Sequence, residues 1–127
     1  MLTATNNSTI DISSLESSKL LAESLINYLR KGSIVCLYGE IGVGKTTLIK
    51  NFINIYQKKN KLPLTEVTSP TFNLLNEYEI SGLIIKHYDL YRLKNKSEIN
   101  NIDLYNIDCN TITFIEWPEL VDKNKLL

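Results

Sequence analysis

The residues with the most chemical content lie in Gly39-Glu40-Ile41-Gly42-Val43-Gly44-Lys45-Thr46-Thr47, which satisfies the spacing G-x-x-x-x-G-K-[ST]. Each residue type there suits a phosphate. Glycines let backbone N–H groups turn toward anionic oxygens without interference from a Cβ, and a helix starting at the lysine adds a favourable dipole. In this motif the lysine reaches the β- and γ-phosphates and the following hydroxyl ligates Mg²⁺. The expected nucleotide-binding residues are therefore Glu40, Ile41, Gly42, Val43, Gly44, Lys45, Thr46 and Thr47, with Mg²⁺ beside the nucleotide phosphates. A glycine turn with a chance lysine is the bland alternative, and the flanking pattern speaks against it. The run Ser33-Ile34-Val35-Cys36-Leu37-Tyr38 reads as a short strand, and an amphipathic helical pattern follows from Lys45.

Hydrolysis needs carboxylates near the metal and the attacking water, and two strand ends compete to supply them. Asp89 closes Leu83-Ile84-Ile85-Lys86-His87-Tyr88-Asp89, and Glu116 closes Thr111-Ile112-Thr113-Phe114-Ile115-Glu116. An apolar strand ending in an acid is the usual provider of a metal-side carboxylate in phosphate-loop proteins. The run before Glu116 is the more apolar, so Glu116 is assigned to the metal and Asp89 to the water or γ-phosphate region. A glutamate that merely caps the strand end remains the alternative. His87 is the sole histidine of the chain, and a lone strand histidine is more often an ordinary hydrogen-bonded residue than a catalyst. Arg92 could pair with a carboxylate or a phosphate.

The remaining elements must position these groups. Ser13 and Glu16 have capping-box spacing ahead of Leu21, Ala22, Leu25, Tyr28 and Leu29, which fall on one helical face, and Gly32 follows as a stop. A short strand is expected near residues 9–12. Leu48, Ile49, Phe52, Ile53 and Tyr56 form the apolar face of the helix after the glycine loop, and 57–61 reads as a solvated helix end. Pro70 marks a bend. The stretches 72–80 and 83–88, separated by Ser81-Gly82, read as a β-hairpin. Asn95 and Glu98 predict a short capped helix to about residue 105.

At 127 residues, 43% hydrophobic and 22% charged, the chain is expected to form a single domain spanning 1–127. Fourteen basic and 14 acidic residues cancel, against the basic excess of a dedicated nucleic-acid surface. Cys36 and Cys109 have no metal-ligand spacing, and Cys36 reads as a small buried apolar residue. There is no signal-peptide pattern and no apolar run of spanning length, so a cytoplasmic location is expected.

Taken together, the glycine loop, Ser69-Pro70-Thr71-Phe72, His87-Tyr88-Asp89-Leu90-Tyr91-Arg92-Leu93 and Glu116-Trp117-Pro118-Glu119 resemble the TsaE family in order and spacing over residues 13–120. The resemblance implies an α/β fold of the P-loop NTPase type, three-layered, with a mixed, mainly parallel sheet and a β-hairpin. It also implies an ATPase, weak alone, required for threonylcarbamoyladenosine modification of tRNA. Such a protein acts with TsaD and TsaB and meets tRNA only indirectly. It further implies Lys45 on phosphate, Thr46 and Glu116 on Mg²⁺, Asp89 in hydrolysis, Thr71 in a switch-like loop and Trp117 packed near the site. Family members carry further C-terminal strands, which this chain is expected to lack, either as a natural short form or as a fragment. A small-molecule or nucleotide kinase is the rival enzyme reading. Its lid normally needs several cationic side chains, and the chain has only Arg30 and Arg92 as arginines. A nucleotide-binding interaction protein without turnover is the non-enzymatic rival.

Overall fold

A computed structural model describes residues 15–39, 44–70, 72–106 and 108–126. The element order is α1 (Leu15–Tyr28), β1 (Ile34–Leu37), α2 (Lys45–Lys59), β2 (Leu75–Ile80), β3 (Leu83–Asp89) and β4 (Thr111–Glu116). Three 3₁₀ segments complete it at Lys96–Asn101, Pro118–Leu120 and Lys123–Leu126. The chain divides into two compact units, Met1–Leu29 with Gly39–Thr68 and Arg30–Tyr38 with Ser69–Leu127. The strand expected near 9–12 and the Ser13 cap lie outside the described residues.

In the first unit α1 packs on α2. Leu21, Ala22 and Leu25 are buried on α1, as are Leu48, Ile49, Phe52 and Ile53 on α2, so the 3.6-residue period correctly picked the buried stripe of each helix. Two expectations at the helix ends fail. Tyr28 is 49% exposed because α1 ends on it, and Gln57, read as solvated, is buried. The Gln57 amide is consumed locally. Its Nε2 donates to Thr65 Oγ1 and its Oε1 accepts the Thr65 N–H, while its backbone carbonyl accepts the Leu62 N–H. A side chain that satisfies the backbone of a returning loop can be buried at little cost.

In the second unit the sheet order is β1-β4-β3-β2, parallel between β1 and β4 and between β4 and β3, antiparallel between β3 and β2. The sheet is thus mixed and mainly parallel. All six residues of β4 are buried, as expected of a strand flanked by two parallel neighbours and covered on both faces. The hairpin forms with Ser81 (φ 49°) and Gly82 (φ 84°) as its two turn residues. Both have positive φ, which matches the twist of the flanking strands. β2 starts at Leu75, not Phe72: the Leu74 N–H donates to the Pro70 carbonyl and closes a turn across the expected first residues.

One face of this sheet carries Tyr88 and Ile115, which cluster with Leu90, Ile99, Leu104 and Val121 from the later segments. The segment after Asn95 is 3₁₀, not the longer helix expected. The Asn95 side chain accepts from the Ser97 hydroxyl, and Glu98 accepts the Lys94 N–H, so the reciprocal capping box does not form. Ile99 and Ile102 both join the core at the three-residue spacing that a 3₁₀ turn places on one side. Cys36 is half-buried rather than buried, and both cysteines are free thiols. Burial pushes the Cys36 thiol pKa up, partly opposed by the charge of Lys123.

Burial, reinforced by Asp103 and Glu77, pushes the Tyr88 hydroxyl up to about 12. The unfolded chain therefore loses this proton first, and the stability contributed by Tyr88 is complete below about pH 10 and lost toward pH 12. Urea unfolding between pH 7 and 11 should show Tyr88→Phe losing less stability on the alkaline side than the parent chain. Parallel alkaline decline in both proteins would contradict this.

Candidate functional site

The first set of site residues surrounds the start of α2. Gly39 and Gly44 have φ of 127° and 96°, which an L side chain rarely tolerates, so glycine is required at both. The Leu48 N–H donates to the Gly44 carbonyl and starts the helical ladder. Lys45 is 4% exposed, and its Nζ donates to the Gly39 carbonyl at 2.5 Å. Thr46 and Thr47 are half-buried in the first turn, which holds no acidic residue. A buried ammonium, two hydroxyls and the donor end of a 15-residue helix make an environment for an anion. Glu40, Ile41, Gly42 and Val43 lie outside the described residues, as does Thr71.

The second set stands at the C-terminal ends of β3 and β4. Asp89 and Glu116 are direct register partners, so two carboxylates end neighbouring strands on one face. Their surroundings differ. Asp89 is half-buried; its Oδ2 accepts from Ser69 Oγ at 3.0 Å and its Oδ1 from the Tyr91 N–H at 3.1 Å. Glu116 is buried, and its Oε2 lies 2.5 Å from His87 Nε2. His87 is itself fully buried, and among the described residues its Nδ1 has no hydrogen-bond partner. The bland reading of His87 as a hydrogen-bonded strand residue holds, but its partner is the carboxylate assigned to the metal. The two-residue spacing of His87 and Asp89 was the available signal, since alternate strand residues share a face.

The flanking residues brace these strand ends. Arg92 donates to the Phe72 carbonyl at 2.7 Å and lies 5.7 Å from the centroid of the Phe72 ring. The Asp89 N–H donates to the Leu74 carbonyl, giving the segment after Pro70 a second tie to the end of β3. Trp117 follows Glu116 directly in the chain. It has φ 59° and ψ 59°, and its ring meets that of Tyr91 with centroids 4.8 Å apart. Left-handed backbone in so bulky a residue is strained and persists only when its surroundings impose it.

Among the described residues there is no group of three or more His, Cys, Asp and Glu able to hold a metal ion. Mg²⁺ does not need one. It binds through one or two carboxylates, hydroxyls and the substrate's phosphate oxygens, keeping several waters. A carboxylate pair at adjacent strand ends fits such an ion.

A mixed, mainly parallel sheet, with a glycine loop and helix following its first strand, defines an α/β protein of the P-loop type. The crystal structure of YdiB from Bacillus subtilis has the same fold, with TM-score 0.59 and 24% identity over 90% of this chain and 66% of that one. The family described as threonylcarbamoyl adenosine biosynthesis protein TsaE matches residues 12–126, and the chain belongs to that family. Among its relatives are the tRNA threonylcarbamoyladenosine biosynthesis proteins TsaE of Rickettsia conorii, 38% identical over 87% of this chain, and of Rickettsia bellii, 37% identical over 91%. The chain spans 61% and 77% of the lengths of those two proteins. No helix among the described residues is long and apolar enough to cross a membrane.

Removing the Glu116 carboxylate alone should leave the His87 N–H buried without an acceptor. Glu116→Leu is expected to cost about 1–3 kcal/mol in urea unfolding, and adding His87→Leu should recover most of it, because removing both partners spares the desolvation penalty. Simple addition of the two single losses would contradict a direct pairing.

Proposed function

We propose that this protein binds and hydrolyses ATP with Mg²⁺ and serves threonylcarbamoyladenosine modification of tRNA together with TsaB and TsaD, meeting tRNA only through them. The observation that carries the enzymatic part is the juxtaposition of Asp89 and Glu116 at the ends of parallel strands. A sheet that only needed to be stable would gain nothing from two neighbouring carboxylates, which repel one another unless a cation lies between them. The roles follow the family motif residue by residue. Lys45 and the loop 40–47 take the phosphates, and Thr46 and Glu116 serve Mg²⁺, which supplies charge neutralisation on the transferred phosphoryl group when bound. Asp89 orients the attacking water: its two oxygens already accept hydrogen bonds from Ser69 and Tyr91, so its direction is set in advance. By the same motif Thr71 is assigned to a switch-like loop. The reading supports a cytoplasmic protein, weak in turnover until its partners engage it.

Two experiments test this. In equilibrium binding, Lys45→Ala should lose ATP–Mg²⁺ affinity by at least about tenfold, while Asp89→Ala should keep binding and lose hydrolysis. Undiminished ATP affinity in Lys45→Ala would remove the phosphate-loop assignment, and loss of binding in Asp89→Ala would move that residue onto the nucleotide or metal. For the partners, tRNA threonylcarbamoylation reconstituted with TsaB and TsaD should depend on this protein. Equal product with and without it would sink the proposed role.

A further inference from the structure

His87 is a histidine in the interior of a sheet, fully buried, with one nitrogen on a carboxylate and the other without a partner among the described residues. As a packing device this is a poor choice. Apolar side chains of similar volume at both positions would avoid the buried imidazole and the buried carboxylate together, and such paired replacements are often neutral or stabilising. Its immediate neighbours on that face are of that apolar kind: Ile85 precedes it on β3, and its register partner on β4 is Phe114, both fully buried. The arrangement makes sense if the direction of the Glu116 carboxylate matters. A glutamate has three side-chain torsions, and one rigid ring donor against a single oxygen removes most of that freedom.

We propose that His87 is the positioning residue for Glu116, donating Nε2–H to Oε2 and fixing the carboxylate in the orientation in which it serves Mg²⁺. This rests on the reading that Glu116 is a metal-side carboxylate. The proton belongs on Nε2 because a carboxylate faces that nitrogen, whereas a proton on Nδ1 would be buried without an acceptor among the described residues. Strand geometry makes the device compact. His87 and Asp89 lie on the same face of β3, and Glu116 is the register partner of Asp89. A single strand thus delivers one carboxylate of the pair and the group that aims the other. The role is that of an outer residue which orients a metal-binding group, whose removal typically weakens metal affinity tenfold or more.

The test uses the full chain and a fluorescent ADP analogue, titrated with Mg²⁺ and again with EDTA, in His87→Leu, His87→Gln and His87→Asn. The glutamine amide can donate from about the position of Nε2; the asparagine amide reaches only that of Nδ1. Affinity in EDTA should be the same in all four proteins. The gain conferred by Mg²⁺ should fall about tenfold in the leucine and asparagine variants and be restored by glutamine. Full Mg²⁺ gain in His87→Leu, or equal loss in the leucine and glutamine variants, would overturn the proposal. If the parent chain itself shows no Mg²⁺ gain, the metal reading of Glu116 fails first and the positioning role falls with it. Should the variants not fold, the parent protein still decides. Its single histidine gives one unambiguous set of ¹⁵N imidazole signals, expected to show the proton on Nε2 and a shift on adding Mg²⁺ with ADP. A proton found on Nδ1 alone, or signals indifferent to Mg²⁺, would refute the role.

Discussion

The parallel pairing of β3 with β4 is the constraint on which the candidate chemistry depends. Its register sets Ile85 beside Ile112, His87 beside Phe114 and Asp89 beside Glu116. A slip of one residue would send every side chain of one strand to the opposite face, separating the carboxylates and breaking the contact of His87 with Glu116. Burial holds the register. β4 is buried along its whole length, so slipping would exchange the faces of Phe114 and Ile115, each buried in its own surroundings. The same packing that stabilises the sheet therefore fixes the site.

The second unit invests its remaining structure in bracing those strand ends. After Glu116 the chain passes through Trp117 in left-handed backbone, whose ring meets Tyr91 just past the end of β3. The Leu90 N–H donates to the Glu116 carbonyl, tying the two exits through the backbone as well. Ser69 and Arg92 hold the segment around Phe72 against the same place. Ser69 and the Tyr91 N–H bond to Asp89, and His87 bonds to Glu116, so hydrogen bonds orient both carboxylates of the pair. In the first unit the corresponding economy is local: glycines at positive φ shape the turn, and Lys45 reaches back to the Gly39 carbonyl.

What could be read from the chain alone was whatever short-range physics determines. Periodicity marked α1, α2 and the strands, Ser81-Gly82 marked the hairpin turn, and the glycine spacing marked the loop. Asp89 and Glu116 stood out because each falls at the end of an expected strand, the run before Glu116 being the more apolar. Reading failed where a side chain's partner is distant or its neighbours compete. Gln57 looked solvated because Thr65 was invisible as its partner. Asn95 looked like a cap because the competing Ser97 hydroxyl could not be weighed.

By itself, then, the sequence determined α1, α2 and the four sheet strands as elements, the phosphate-loop motif and the family, since each is encoded in residues close together or in motif order. Only the tertiary structure decided that Asp89 and Glu116 are neighbours and that the sole histidine holds one of them. The physical reason is that strand order and register come from how whole faces are buried. His87 and Glu116, 29 residues apart, meet because the faces of β3 and β4 leave them no other arrangement.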